Sequence, residues 1–150
     1  MTTPHTTETL HFRSVEDPAA AERLAAIPPP FQAGLRLRAG LWSGPPGVEE
    51  RIGEAAAFAR IADPAFPPGS SGDFYLRVEL PAGRFAGVGS YTVLDDRVPA
   101  PGLVLAACAL RLVEMPAGVA GGALVSVSLF NPRGLPGFET GSTWTLQLFR

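Results

Sequence analysis

Lysine is missing from this chain: all twelve basic residues are arginines. That excludes Schiff-base chemistry and a phosphate-binding P-loop. Histidine is nearly as scarce, with only His5 and His11, both near the N-terminus. Neither lies near a nucleophile elbow, so a Ser-His-Asp triad finds no support. A metal site on that pair would need further ligands converging from the body of the protein, and no metal is expected. Cysteine occurs once, at Cys108, so no intramolecular disulfide can form and a reducing cytoplasm is the simplest setting. Its context, Leu-Ala-Ala-Cys-Ala-Leu, holds no base and reads as a buried small hydrophobe. Charge is sparse at 17% of residues with a net −2, which argues against a nucleic-acid partner. The longest apolar run, Leu103 to Leu110, is far too short to span a bilayer. Met-Thr-Thr-Pro-His at the start has neither the basic nor the apolar segment of a signal peptide. The expectation is a soluble, cytoplasmic protein with no membrane or nucleic-acid partner.

Glycine (17) and proline (16) are plentiful in the 150 residues, which suits turns and bulges better than long helices. Phe74, Leu76, Val78 and Leu80 alternate with Tyr75, Arg77 and Glu79, the period of a half-buried strand. Pro81-Ala82-Gly83 supplies a turn, and Phe85 to Leu94 runs back. Similar runs follow at 103–113, 123–130 and 142–149, and Leu35, Leu37, Ala39 and Leu41 mark a strand at 35–42. Residues 48–62 fit either a helix or a strand; a strand is preferred because a closed sheet must manage its edges. Asp17-Pro18 has the form of an N-cap and first helical position, which predicts a short helix at about 18–27 ended by Pro28-Pro29-Pro30. Residues 1–16 read as a flexible N-terminal arm, and 17–150 as a single domain. The predicted fold is all-β: a closed antiparallel barrel of seven or eight strands with a short N-terminal helix.

Several residue groups could carry chemistry, and each has a plain alternative. Gly83, Gly87 and Gly89 lie inside a hairpin and not between a strand and a helix, so the dinucleotide-loop reading fails; they either allow coiling or leave room for a ligand. Glu49-Glu50 and Asp95-Asp96 fall at element ends, where neighbours point to opposite faces, and read as solvated. Strand 103–113 is apolar on both faces, which predicts cover on both sides and hence a homodimer or larger assembly. Arg111 ends one of those faces, as either a cavity anchor for a carbonyl or anionic group or half of an interface ion pair. Trp144 shares a face with Leu146 and Leu148, and Tyr91 with Phe85 and Val93, so both rings should point inward. They either fill a core or line a lumen that holds one small ligand.

From Gly72-Asp73-Phe74-Tyr75, through Gly83 to Gly89, Tyr91 and Asp95-Asp96, the chain resembles the allene oxide cyclase-type barrel family. The resemblance continues through Leu103–Leu112, Gly118 to Gly122 and Phe130-Asn131-Pro132, and ends in Trp144-Thr145-Leu146-Gln147-Leu148-Phe149. It covers residues 72–150 and is one of pattern. It implies a cofactor-free cyclase or isomerase acting on a small hydrophobic polyene- or polyketide-like molecule, with [4+2] cycloaddition as one form, since bacterial spirotetronate cyclases belong to that family. A second resemblance, of Gly40-Leu41-Trp42 to the Gly-Xaa-Trp of lipocalins, implies ligand binding without catalysis; a barrel filled by side chains would imply neither. The candidate catalytic residues are Arg111 and Tyr91, to polarise a carbonyl. Trp144, Trp42, Phe85 and Leu146 are the candidate substrate-binding residues, and no cofactor is expected.

Overall fold

A computed structural model describes residues 6–150 of the chain. Eight strands follow one another: β1 (Thr7–Glu16), β2 (Leu35–Ser43), β3 (Glu50–Ala59), β4 (Ser71–Leu80), β5 (Gly83–Asp95), β6 (Val104–Glu114), β7 (Gly121–Phe130) and β8 (Gly141–Phe149). Each pairs antiparallel with the next, and β8 pairs with β1, so the sheet closes into a barrel. Closure leaves no strand edge open, the problem that favoured a strand over a helix at 48–62, and β3 fills that place.

Two expectations for the N-terminal region are corrected. Within the expected arm, residues 7–16 are β1, in register with β8 from Thr7↔Phe149 to Val15↔Gly141. Its alternation is weak as sequence, because Phe12 and Ser14 are both buried while Thr9 and His11 are exposed. Partners at the far end of the chain make it a strand. The helix expected at 18–27 does not form: 22–24 and 29–31 are single 3-10 turns. The Asp17 carboxylate does accept the Ala19 N–H at 3.0 Å, as an N-terminal cap would. A segment this short gains too few internal hydrogen bonds to hold a helix by itself. Tertiary packing decides its shape. Ala20, Ala21, Leu24 and Phe31 bury against Ala56 and Phe58 on the outer side of β3, forming a second core outside the barrel. Arg77 fastens this covering segment, donating to the carbonyls of Leu24 and Ala26 while its guanidinium stacks 5.1 Å from the Tyr75 ring.

Inside the barrel, one end is filled and the other is open. Leu41, Val78, Phe85, Leu124, Leu146 and Leu148 have no exposed surface and form a solid floor. Gly87 keeps that floor tight: a Cβ there would lie 3.1 Å from Leu110 Cβ and 3.2 Å from Leu124 Cδ1. Of the two readings of the hairpin glycines, Gly87 therefore serves close packing and not ligand room. Toward the opposite end, the inward positions change from leucine to alanine and serine, and the barrel hollows out.

Candidate functional site

The hollow is a cup that offers about 100 Å³ to the centres of water-sized molecules. A single water needs only about 10–15 Å³ by that measure, so the space suits a small organic molecule. Eight-stranded barrels are just wide enough for this. Small residues make the room here: Ala39, Ala55, Ala57, Ala59 and Ala106 all line it. Leu35, Leu37 and Leu76 complete an apolar wall on β2, β3 and β4, with Phe74 beside it. At the mouth, Phe66 of the 60–70 loop meets Phe130 of β7 edge-on, with centroids 5.7 Å apart. Gly69 N–H to Val93 O and Val93 N–H to Ser70 O, both 2.8 Å, tie that loop to β5. Glu16 also lines the cavity, whereas the Arg38 side chain turns outward beside Ala56, where it donates to the Pro18 carbonyl.

The opposite wall, on β5 to β8 and β1, is polar in detail. One row of cross-strand partners runs Tyr91, Cys108, Ser126, Trp144 and Phe12. The next row toward the mouth runs Val93, Ala106, Ser128, Ser142 and Ser14. Ser126 and Ser128 share a hydrogen bond at 3.2 Å, and Ser128 and Ser142 one at 2.6 Å. Trp144 Nε1–H donates to Ser14 Oγ at 3.1 Å. Burial pushes the Cys108 thiol up to about 11, against a smaller opposing effect of hydrogen bonds from Ser126 and Ser128. Cys108 is therefore a neutral thiol at physiological pH, with little nucleophilic character. Tyr91 lies across Gly72, where a Cβ would come within 2.6 Å of its Cε1 and 2.8 Å of its Oη. The phenol oxygen reaches past Gly72 and accepts the Ala62 N–H at 3.4 Å.

The candidates separate cleanly by position. Tyr91 and Trp144 point inward, are buried, and line the cup. Phe85 and Leu146 point inward too, but they sit in the floor and form no part of the cup wall. Trp42 is outside. A bulge follows Leu41, and a Cβ on Gly40 would meet Trp42 Nε1 at 3.3 Å and Arg51 Cζ at 3.4 Å on the outer surface. Arg111 is exposed between Val88 and Ala123 on the outer face, while its neighbours Leu110 and Leu112 are buried. The cavity-anchor reading of Arg111 therefore fails on strand parity, and only its place on a surface remains. The serines were missed. In 123–130 the ordinary reading of the alternation would turn Val125 and Val127 inward, yet they are 46% and 57% exposed while Ser126 is buried. Among the described residues, no group of three or more His, Cys, Asp or Glu side chains converges. His11 is exposed, with Nδ1 3.2 Å from Thr145 Oγ1, and His5 lies outside the described residues. No helix among the described residues is long and apolar enough to cross a membrane.

Comparison with known proteins returns no matching family model, no curated relative and no solved structure. The functional reading rests on the cup itself.

Proposed function

We propose that the protein encloses a small, largely apolar molecule in the cup and promotes its cyclisation or isomerisation without a cofactor. The observation that supports this is the alanine-walled hollow above a solid leucine floor, entered from one end and faced by one phenol. A flexible polyene- or polyketide-like substrate would be held there in a compact conformer, so the cup acts as an entropy trap. A [4+2] cycloaddition suits such a site. Two σ bonds form from π electrons within the substrate, and no proton, electron or leaving group has to be moved. Tyr91 would lower the barrier by donating to a carbonyl conjugated with the reacting alkene.

The test uses a linear triene carrying a tethered enone. The expected result is faster cyclisation and an excess of one enantiomer, with the excess reduced in Trp144→Phe. A rate and a racemic product equal to those in buffer would refute catalysis. The second reading, carriage without conversion, is favoured by the position of Glu16, a charged group exposed at the mouth and not beside a substrate in the hollow. It predicts binding of the triene with no acceleration.

The outward valines support a homodimer. Val125 and Val127 stand with Ala107, Ala109, Thr143 and Thr145 on one uncharged stretch of the outer face of β6 to β8. An apolar sheet face of this kind is what a second copy would cover.

A further inference from the structure

The two walls of the cup differ in chemistry, and this sets what the ligand looks like. Resting on the reading of the cup as a binding site, we infer that the ligand carries hydrocarbon along one edge and acceptor oxygens, carbonyl or ether, along the other. These oxygens would be taken by Tyr91 and Ser14 from opposite ends of the serine wall. A hydroxyl has one proton to donate and two lone pairs to accept with. Ser126, Ser128 and Ser142 share two hydrogen bonds among themselves, and Ser126 and Ser128 both also interact with the Cys108 thiol. That ladder is largely satisfied internally.

Ser14 and Tyr91 are different. Ser14 Oγ accepts from the Trp144 indole N–H and Tyr91 Oη accepts from the Ala62 N–H, so each oxygen is fixed in place through a lone pair. Each O–H proton is left to be given away. Ser14 is 8% exposed and Tyr91 6%, and both line the cup. A buried donor held in position, with its proton unassigned and a cavity in front of it, is suited to a ligand acceptor. Across the hollow, Leu37, Ala57 and Leu76 offer only hydrocarbon.

Serine also stands here against the pattern of the strand. A β7 with valines inward would be the cheaper core, and the sequence instead turns the hydroxyls in and the valines out. Departures of this sort concentrate at functional sites.

The experiment compares 2-acetylnaphthalene with 2-isopropenylnaphthalene, which have the same shape and differ in C=O against C=CH2. Dissociation constants are measured by calorimetry on wild type, Tyr91→Phe, Ser14→Ala and the double variant. The double variant is expected to shift the affinity ratio about tenfold toward the hydrocarbon, as loss of a buried hydrogen-bond donor implies. Its affinity for the isopropenyl compound should hold within about threefold, since the hydrophobic contacts are untouched. An unchanged ratio overturns the polar-wall inference and leaves the cup reading standing. Failure of both compounds to bind wild type overturns the cup reading, and this inference with it. Ser14→Ala removes the acceptor of the Trp144 N–H; if it does not fold, Tyr91→Phe alone must move the ratio at least threefold, and no movement refutes the inference.

Discussion

Filling the cup should stabilise the fold while abolishing binding, and Ala57→Leu tests both at once. Ala57 stands in register with Leu37 and Leu76, half-buried, with its methyl facing the hollow. Leucine adds three carbons at that point. At about 0.8 kcal/mol for each buried methylene-sized group, the gain is at most about 2 kcal/mol, less what is lost in rotamer freedom. For a domain of this size each kcal/mol moves Tm by about 2–4 °C, so a rise of several degrees is expected by calorimetry. If the barrel were solid at this level, the same side chain would be overpacked and would cost about 1–3 kcal/mol. The sign of the shift therefore decides whether the hollow exists. Affinity for 2-isopropenylnaphthalene should fall at least tenfold in the same variant. A lowered Tm, or binding that survives, would refute the reasoning.

The floor predicts the opposite behaviour: Leu146→Ala, at a position with no exposure, should cost about 2–5 kcal/mol in urea unfolding. Gly72→Ala would set a Cβ 2.1 Å from the Arg60 carbonyl and 2.6 Å from the Tyr91 ring, so it should lower Tm and disturb the ring's near-ultraviolet dichroism. Because burial raises the Cys108 pKa from 9.0 to about 11, the folded state retains a proton that the unfolded state loses in that interval. Its contribution is therefore complete below about pH 9 and lost as pH rises toward 11; urea titrations should show this alkaline decline weakened in Cys108→Ser. Arg111→Leu should leave ligand affinity unchanged, as befits an outward residue. Val127→Glu should turn a dimer into a monomer by light scattering, and a wild-type protein already monomeric at micromolar concentration would refute the assembly.

The barrel was legible because alternation survives wherever one face is buried, as in Phe74 to Leu80. β1 was not, because Thr9, His11 and Arg13 alternate with only two strongly buried side chains, and its partners lie some 130 positions away. The helix signal at Asp17-Pro18 was genuine chemistry, a cap that forms, overridden by burial of Ala20, Ala21 and Leu24 on β3 and β4. At the site, strand parity placed Tyr91 and Trp144 correctly. Parity alone could not place Arg111, since strand 103–113 is apolar on both faces, nor say which inward residues belong to floor and which to wall. The serines escaped notice because Val125 and Val127 invert the usual rule. Hydroxyls next to valines read as the outer face until the closed sheet fixes their direction.

The central claim, that the cup is where a ligand sits, is most directly tested by a methyl and aromatic NMR titration with 2-isopropenylnaphthalene. Saturable shifts are predicted for Ala57, Leu76, Tyr91, Ala106 and Trp144, with the floor residues Leu124 and Leu148 scarcely moved. Shifts confined to Val125, Val127 and Ala109 on the outer face, or none that saturate, would contradict it.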